Sequence, residues 1–193
     1  MILPIVAYGH PTLRKKTQEI TPDYPNLKQF IENMFETMYN ASGVGLAAPQ
    51  VNVAIRLFIV DGEPMEGEKP GEESESLKGF KKVFINPQKI EEEGEKWPFY
   101  EGCLSIPDIR EQVYRHDKIT LRYFDENFEE KVESFTGMRA RIIQHEYDHL
   151  EGVLFTDYIS PLRRQLIKPR LSRISKGKTV AGYPMKYPRP KKR

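Results

Sequence analysis

The sequence of 193 residues holds a single cysteine, Cys103, so no internal disulfide framework exists and a disulfide-stapled secreted domain is excluded. A lone thiol fits a reducing compartment, and a cytoplasmic location is expected. No run of about 18 apolar residues occurs, which leaves no transmembrane helix. Residues 1–10 lack a basic leader region and a secretory apolar core. No internal period is present, so a repeat array is excluded. Acid is missing from one region altogether: residues 163–193 contain twelve Lys or Arg and no Asp or Glu. The remaining 162 residues carry 18 basic and 28 acidic side chains, a net of −10 beneath an overall charge of +2. An acidic body with a basic tail suits a polyanionic partner such as RNA, although a solvated helix with a frayed terminus would show the same charge pattern.

Hydrophobic residues make up 38% and charged residues 30%, with a mean hydropathy of −0.61. That composition belongs to a soluble globular chain, and its length suits one domain. Leu27, Phe30, Ile31, Met34, Phe35 and Met38 form one stripe at helical spacing, predicting an amphipathic helix over residues 26–39 that could start near Thr21. Residues 53–60, 83–90, 118–124 and 131–135 read as strands, the last two as a hairpin turning near Asp125. Residues 61–79, rich in Gly, Pro, Ser and Glu, read as an exposed loop or insertion. A helix is expected from Thr136, its N-cap, to a stop at Gly152. Another covers residues 161–171 with an interruption near Pro169. Beyond Lys176 no periodicity remains, so residues 172–193 are expected to form a mobile basic tail on a domain of residues 1–171. Segregated strands and helices give an α+β fold, a single domain of antiparallel strands packed around a central helix, with a C-terminal helix and the tail.

That central helix carries His145-Glu146-Tyr147-Asp148-His149, an H-E-x-x-H motif. Histidines four apart share one helix face and can reach one divalent ion, while Glu146 projects beside them, placed to take a proton from an activated water. The bland alternative is a helix with two partly buried histidines and a surface glutamate. A third ligand is needed. Position 155 is Phe155, where another metalloprotease pattern would place a histidine, and no glutamate follows Glu151, so the ordinary metalloprotease arrangements fail. The missing ligand must lie upstream, among Cys103, His10, His116 and several carboxylates. Cys103 is favoured, since a thiolate is a strong ligand for zinc or iron. Taken alone, a single cysteine is more often a small buried hydrophobe.

Residues 43–50, Gly43-Val44-Gly45-Leu46-Ala47-Ala48-Pro49-Gln50, contain a nominal G-x-G-x-x-A. The dinucleotide fingerprint needs a strand before it and a helix after it. Here a helix precedes and Pro49 follows, so that reading is refuted. What remains is a loop whose glycines permit close approach to a ligand, with Gln50 able to donate a hydrogen bond; alone it would read as a tight helix-to-strand connection.

Together, GVGLAAPQ from Gly43, EGCLS from Glu101 and QHEYDHL from Gln144 resemble the three signature motifs of peptide deformylases, in order and in spacing across nearly all of residues 1–165. Tyr147 replaces a usual smaller apolar residue, and the acidic segment of residues 61–76 looks like an insertion. The resemblance implies that Cys103, His145 and His149 hold a metal with water as fourth ligand. Iron(II) is implied in the cell, with nickel, cobalt or zinc able to replace it. The implied reaction removes the formyl group from N-terminal formylmethionine of new polypeptides and releases formate. Glu146 would act as general base and acid; the Leu104 backbone N–H and the Gln50 side chain would stabilise the oxyanion. Val44, Gly45, Phe99, Glu101, Gly102, Met138 and Ile142 would bind substrate. Met138 and Ile142 also lie seven and three residues before His145, on its helix face, and by spacing alone are more often core. Arg110 would orient Glu101.

The implied partners are N-formylmethionyl peptides and, through the basic tail, the ribosome, with neither membrane nor DNA. Two other readings stand beside this one. A general metallopeptidase is disfavoured by the absent downstream ligand. A metal-stabilised, ribosome-associated binding protein would need neither Glu146 nor Gln50.

Overall fold

A computed structural model of the chain describes residues 1–65 and 77–188. The elements run β1 (Ile5–Val6), α1 (Leu27–Asn40), β2 (Gly45–Ala47), β3 (Leu57–Asp61), β4 (Lys81–Cys103), β5 (Ile106–Phe124), β6 (Glu130–Thr136), α2 (Gly137–Leu150), α3 (Pro161–Ser175) and β7 (Met185–Lys186). β2 to β6 form one antiparallel sheet in sequence order, and β1 pairs with β7 in a separate parallel ribbon. The α+β expectation holds.

Strand alternation explains how helices cover both faces of this sheet. Phe58 and Val60 of β3 face α2, packing with Phe84, Leu121, Phe135, Met138, Ile142 and Ile143. Leu57 and Ile59 face the other way, where Leu46, Val83 and Ile85 meet Ile31, Met34 and Met38 of α1. The helical stripe read from sequence is thus the buried face of α1. Each large side chain buried this way contributes roughly 1.5–3 kcal/mol. A third apolar cluster joins Val6, Ile106, Ile109 and Val113 to Phe155, Ile167, Leu171 and Ile174, fastening α3 to β5.

Several boundaries differ from expectation. β3 starts at Leu57 rather than residue 53, because Arg56 N–H is taken by Gln18 (2.7 Å) and the preceding residues form a loop. The expected strands 83–90 and 118–124 are the bases of one long hairpin. Four register shifts along it, two beginning in the base at Ile85 and Lys89 and two in the upper arms at Glu93 and Gly102, together with Pro98, hide the period-two pattern. Within residues 61–79, Glu63–Met65 forms a 3₁₀ turn and Leu77 is buried; residues 66–76 of the expected insertion lie outside the described residues. Thr136 sits at the N-cap of α2, yet its side chain makes no capping bond. Gly152 ends the helix as expected, with φ +73°, and a Cβ there would lie 2.9 Å from the Arg14 carbonyl.

α3 continues through Pro169 to Ser175. Ile167, Leu171 and Ile174 bracket the proline and bury on one face, so packing outweighs the lost backbone bond. The segment after it is docked through residue 188. β7 pairs with β1, Ala7 N–H donates to Lys186 O (2.9 Å), and Tyr183 O–H donates to Leu104 O (2.8 Å).

Candidate metal centre and active site

The site forms where α2, the tip of the β4–β5 hairpin and the turn after β2 converge. Helical periodicity puts His145 and His149 on one face, and Arg141 shares it one turn earlier. Cys103 ends β4 at a register shift, immediately before the Leu104–Ser105 turn. Its Sγ lies 3.3 Å from His149 Nε2, and ligand atoms of Cys103, His145 and His149 all lie within 4.8 Å of one another. Two ligands of one tetrahedral ion with ordinary bond lengths stand about 3.5 Å apart, so the donor set fits a divalent metal. His10 caps a 3₁₀ turn and His116 Nδ1 is bonded to Gly94 O, so neither joins the cluster.

Glu101 fixes the first histidine. Its carboxylate meets His145 Nδ1 at 3.0 Å, which leaves Nε2 to face the cluster. The group that orients Glu101 differs from expectation. Arg115 forks onto it from Nε (2.7 Å) and Nη2 (3.0 Å), and Arg141 adds a third bond at 2.9 Å. Arg110 makes none of these contacts. Glu101 pairs with Glu111 across the hairpin, so the inward face continues through Val113 to Arg115, whereas Arg110 points to solvent. Arg110 instead lies over Gly102 and lines the cleft mouth. Arg115 also bonds Asp148 (2.7 Å), which accepts from Tyr158 O–H (3.0 Å).

These contacts set the charges. Burial alone would raise the Glu101 pKa, but His145 and Arg115 hold it well below the usual carboxylate range. Burial pulls His145 down, yet Cys103, Glu101 and Glu146 carry it well above its ordinary value. His149 is driven the other way, by burial first and then by His145 and Arg115. Glu146 is pushed up to about 7, mainly by burial. A divalent ion beside it would draw that value back down. Glu146 Oε2 and His149 Nδ1 are buried with no hydrogen-bond partner among the described residues.

Gln50 and Gly45 hold the opposite wall. Gln50 Oε1 accepts from Ala47 N–H (2.8 Å), which turns its amide NH₂ toward Cys103 Sγ and Ser105 Oγ, each 3.4 Å away. A side chain at Gly45 would drive its Cβ into the Glu146 carboxylate, so glycine lets β2 pass close to Glu146 there. A cavity of about 530 Å³ opens over the cluster and is lined by Val44, Phe99, Met138 and Ile142 beside Gln50, His145 and Glu146. Every residue expected at the site reaches this cavity or its lining network except Arg110 in its expected role. Sequence reading missed Arg115, Arg141 and Asp148. Arg141 was legible four residues before His145, and Arg115 required the hairpin register.

Comparison with known proteins agrees with this geometry. The family model for polypeptide deformylase matches residues 2–165. The peptide deformylases of Flavobacterium psychrophilum and Flavobacterium johnsoniae are 60% and 58% identical, over 100% of this chain and 100% and 99% of theirs. The crystal structure of the Legionella pneumophila peptide deformylase has a TM-score of 0.78 at 32% identity, covering 92% of this chain and 98% of that one. The Thermotoga maritima structure has a TM-score of 0.71 at 40% identity, covering 83% and 99%. With the matched length, the shared fold and the Cys103–His145–His149 cluster together, the chain belongs to the polypeptide deformylase family.

Proposed function

We propose that the chain hydrolyses the N-formyl group of N-terminal formylmethionine on nascent polypeptides, with Cys103, His145 and His149 holding one divalent metal and Glu146 moving the protons. The observation that carries this division of labour is Glu146 Oε2, buried and without a hydrogen-bond partner among the described residues, beside a three-ligand cluster. When bound, the ion would polarise the formyl carbonyl and acidify a coordinated water. Glu146 takes the proton of the attacking water and delivers it to the amide nitrogen as the C–N bond breaks, leaving formate and a free amine. The Gln50 NH₂, locked by Ala47, donates to the developing oxyanion together with the Leu104 N–H. Met138, Ile142, Val44 and Phe99 line an apolar slot suited to an unbranched thioether, and Gly45, Gly102 and Glu101 line the same cavity, where the missing side chain of Gly45 leaves the Glu146 carboxylate clear.

A thiolate with two imidazoles suits iron, nickel, cobalt and zinc alike; iron(II) is proposed for the cell on the family resemblance. A cytoplasmic site of action fits formylated nascent chains, and no helix among the described residues is long and apolar enough to cross a membrane. The ribosome is proposed as partner through α3 and its basic continuation, where Lys168, Arg173, Lys176 and Lys178 are exposed. Reversing these four charges should flatten the salt dependence of ribosome binding; unchanged binding and slope would refute the docking role. Glu146→Gln tests the catalytic assignment: it should keep one metal per chain by elemental analysis while formate release falls by roughly 100-fold or more. Unaltered turnover would refute it.

A further inference from the structure

Residues 177–188 form a closed loop beyond the segment that the family model matches. Its base is pinned on both sides. Lys178 N–H donates to Arg173 O (2.9 Å), Tyr187 O–H donates to Thr179 O (3.2 Å), and β7 pairs with β1. At its tip Tyr183 packs against the apolar cluster around α1, whereas Val180 stands clear of it. Val180, Ala181, Gly182 and Tyr183 line the active-site cavity, and Val180 is 93% exposed. Tyr183 ties this tip to the metal-ligand turn through Leu104 O. The cavity is graded from end to end. Its buried end holds Met138 and Ile142, and the lining residues Val180 and Arg110 are exposed at its mouth.

Resting on the deformylase reading, we propose that the tip of this loop is a specificity element, in which Val180 contacts an apolar side chain of the nascent peptide at the third residue, beyond the formylmethionine. The argument is one of position and chemistry. Methionine occupies the buried floor, an extended peptide advances about 3.3 Å per residue toward the mouth, and the wall there is an exposed valine on an anchored loop. Covering such a side chain removes apolar surface from water, which favours the contact. The contact is made in ground state and transition state alike, so it acts on KM and leaves kcat.

The test compares kcat/KM for formyl-Met-Ala-Leu and formyl-Met-Ala-Ser in the full-length metalloenzyme and in Val180→Ser and Val180→Leu. Both substitutions fall on a solvent-exposed side chain, so folding is not at stake. The wild type should prefer leucine, Val180→Ser should lower the leucine-to-serine ratio by about three- to five-fold through KM, and Val180→Leu should maintain it. Direct binding of the products Met-Ala-Leu and Met-Ala-Ser by calorimetry should follow the same order. An unchanged ratio in an enzyme that turns over both peptides overturns the role of the loop and leaves the deformylase reading intact. No turnover of either peptide by the wild type overturns that reading, and this proposal with it.

Discussion

Replacing Arg115 by alanine tests how the centre is held. Arg115 is 4% exposed, grips Glu101 through two nitrogens and Asp148 through the third, and stacks over the Tyr158 ring at 4.8 Å. Removing one partner of a buried ion pair costs about 3–5 kcal/mol, because the other charge is left without compensation. Here Glu101 would keep Arg141 and His145, and Asp148 would keep Tyr158. The cost therefore falls at or below the lower end, about 2–3 kcal/mol. For a chain of this size each kcal/mol moves Tm by about 2–4 °C, so a drop of roughly 4–12 °C is expected by circular dichroism. Glu101 would also orient His145 less firmly, weakening metal affinity by about 10- to 100-fold in a chelator competition. Arg115→Lys should recover only part of either loss, since an ammonium cannot reproduce the fork. Arg110→Ala is the control, with stability within about 0.5 kcal/mol of wild type. A Tm shift under about 2 °C in Arg115→Ala, or a larger one in Arg110→Ala, would refute the reasoning.

Gly45→Ala should place a methyl against the Glu146 carboxylate and lower kcat with metal content retained; full activity would mean that this close approach has no role. Gln50→Ala should cost on the order of 100-fold in kcat through the lost oxyanion donor, read by formate release. Glu101 has a pKa depressed below its unfolded value of 4.5. Its contribution to stability is therefore fully present above about pH 4.5 and lost as pH falls through the folded value. Glu101→Gln should show a shallower acid loss of Tm than wild type in this window, and parallel curves would contradict the linkage. Arg163→Ala should leave the buried Glu111 without its two-bond partner and destabilise by about 1–3 kcal/mol in urea unfolding, with an effect below about 0.5 kcal/mol counting against that anchor.

The parts of this protein that were legible in sequence are those where local pattern and tertiary packing agree. The α1 stripe, the α2 span with its Gly152 stop, and the histidine pair all follow from a 3.6-residue period that the fold preserves. The β4–β5 hairpin did not read through, because charged residues and register shifts at Lys89, Glu93 and Gly102 break its alternation. The Arg110 expectation failed for the same reason: proximity to Glu101 in sequence says nothing of strand parity, and four residues of strand lie between the outward arginine and the inward one. The docking of residues 172–188 was equally hidden, since a two-residue β7 and a tyrosine bond to Leu104 leave no periodic signal.

The central claim is that one divalent metal on Cys103, His145 and His149 supports formate release from formylmethionyl peptides. The most direct measurement titrates metal-free protein anaerobically with iron(II), nickel(II) or cobalt(II) and follows formate release from formyl-Met-Ala. Activity should rise linearly and saturate at one equivalent per chain, and Cys103→Ser should neither retain the metal nor release formate. Saturated protein that releases no formate, or Cys103→Ser that performs like wild type, would contradict the account.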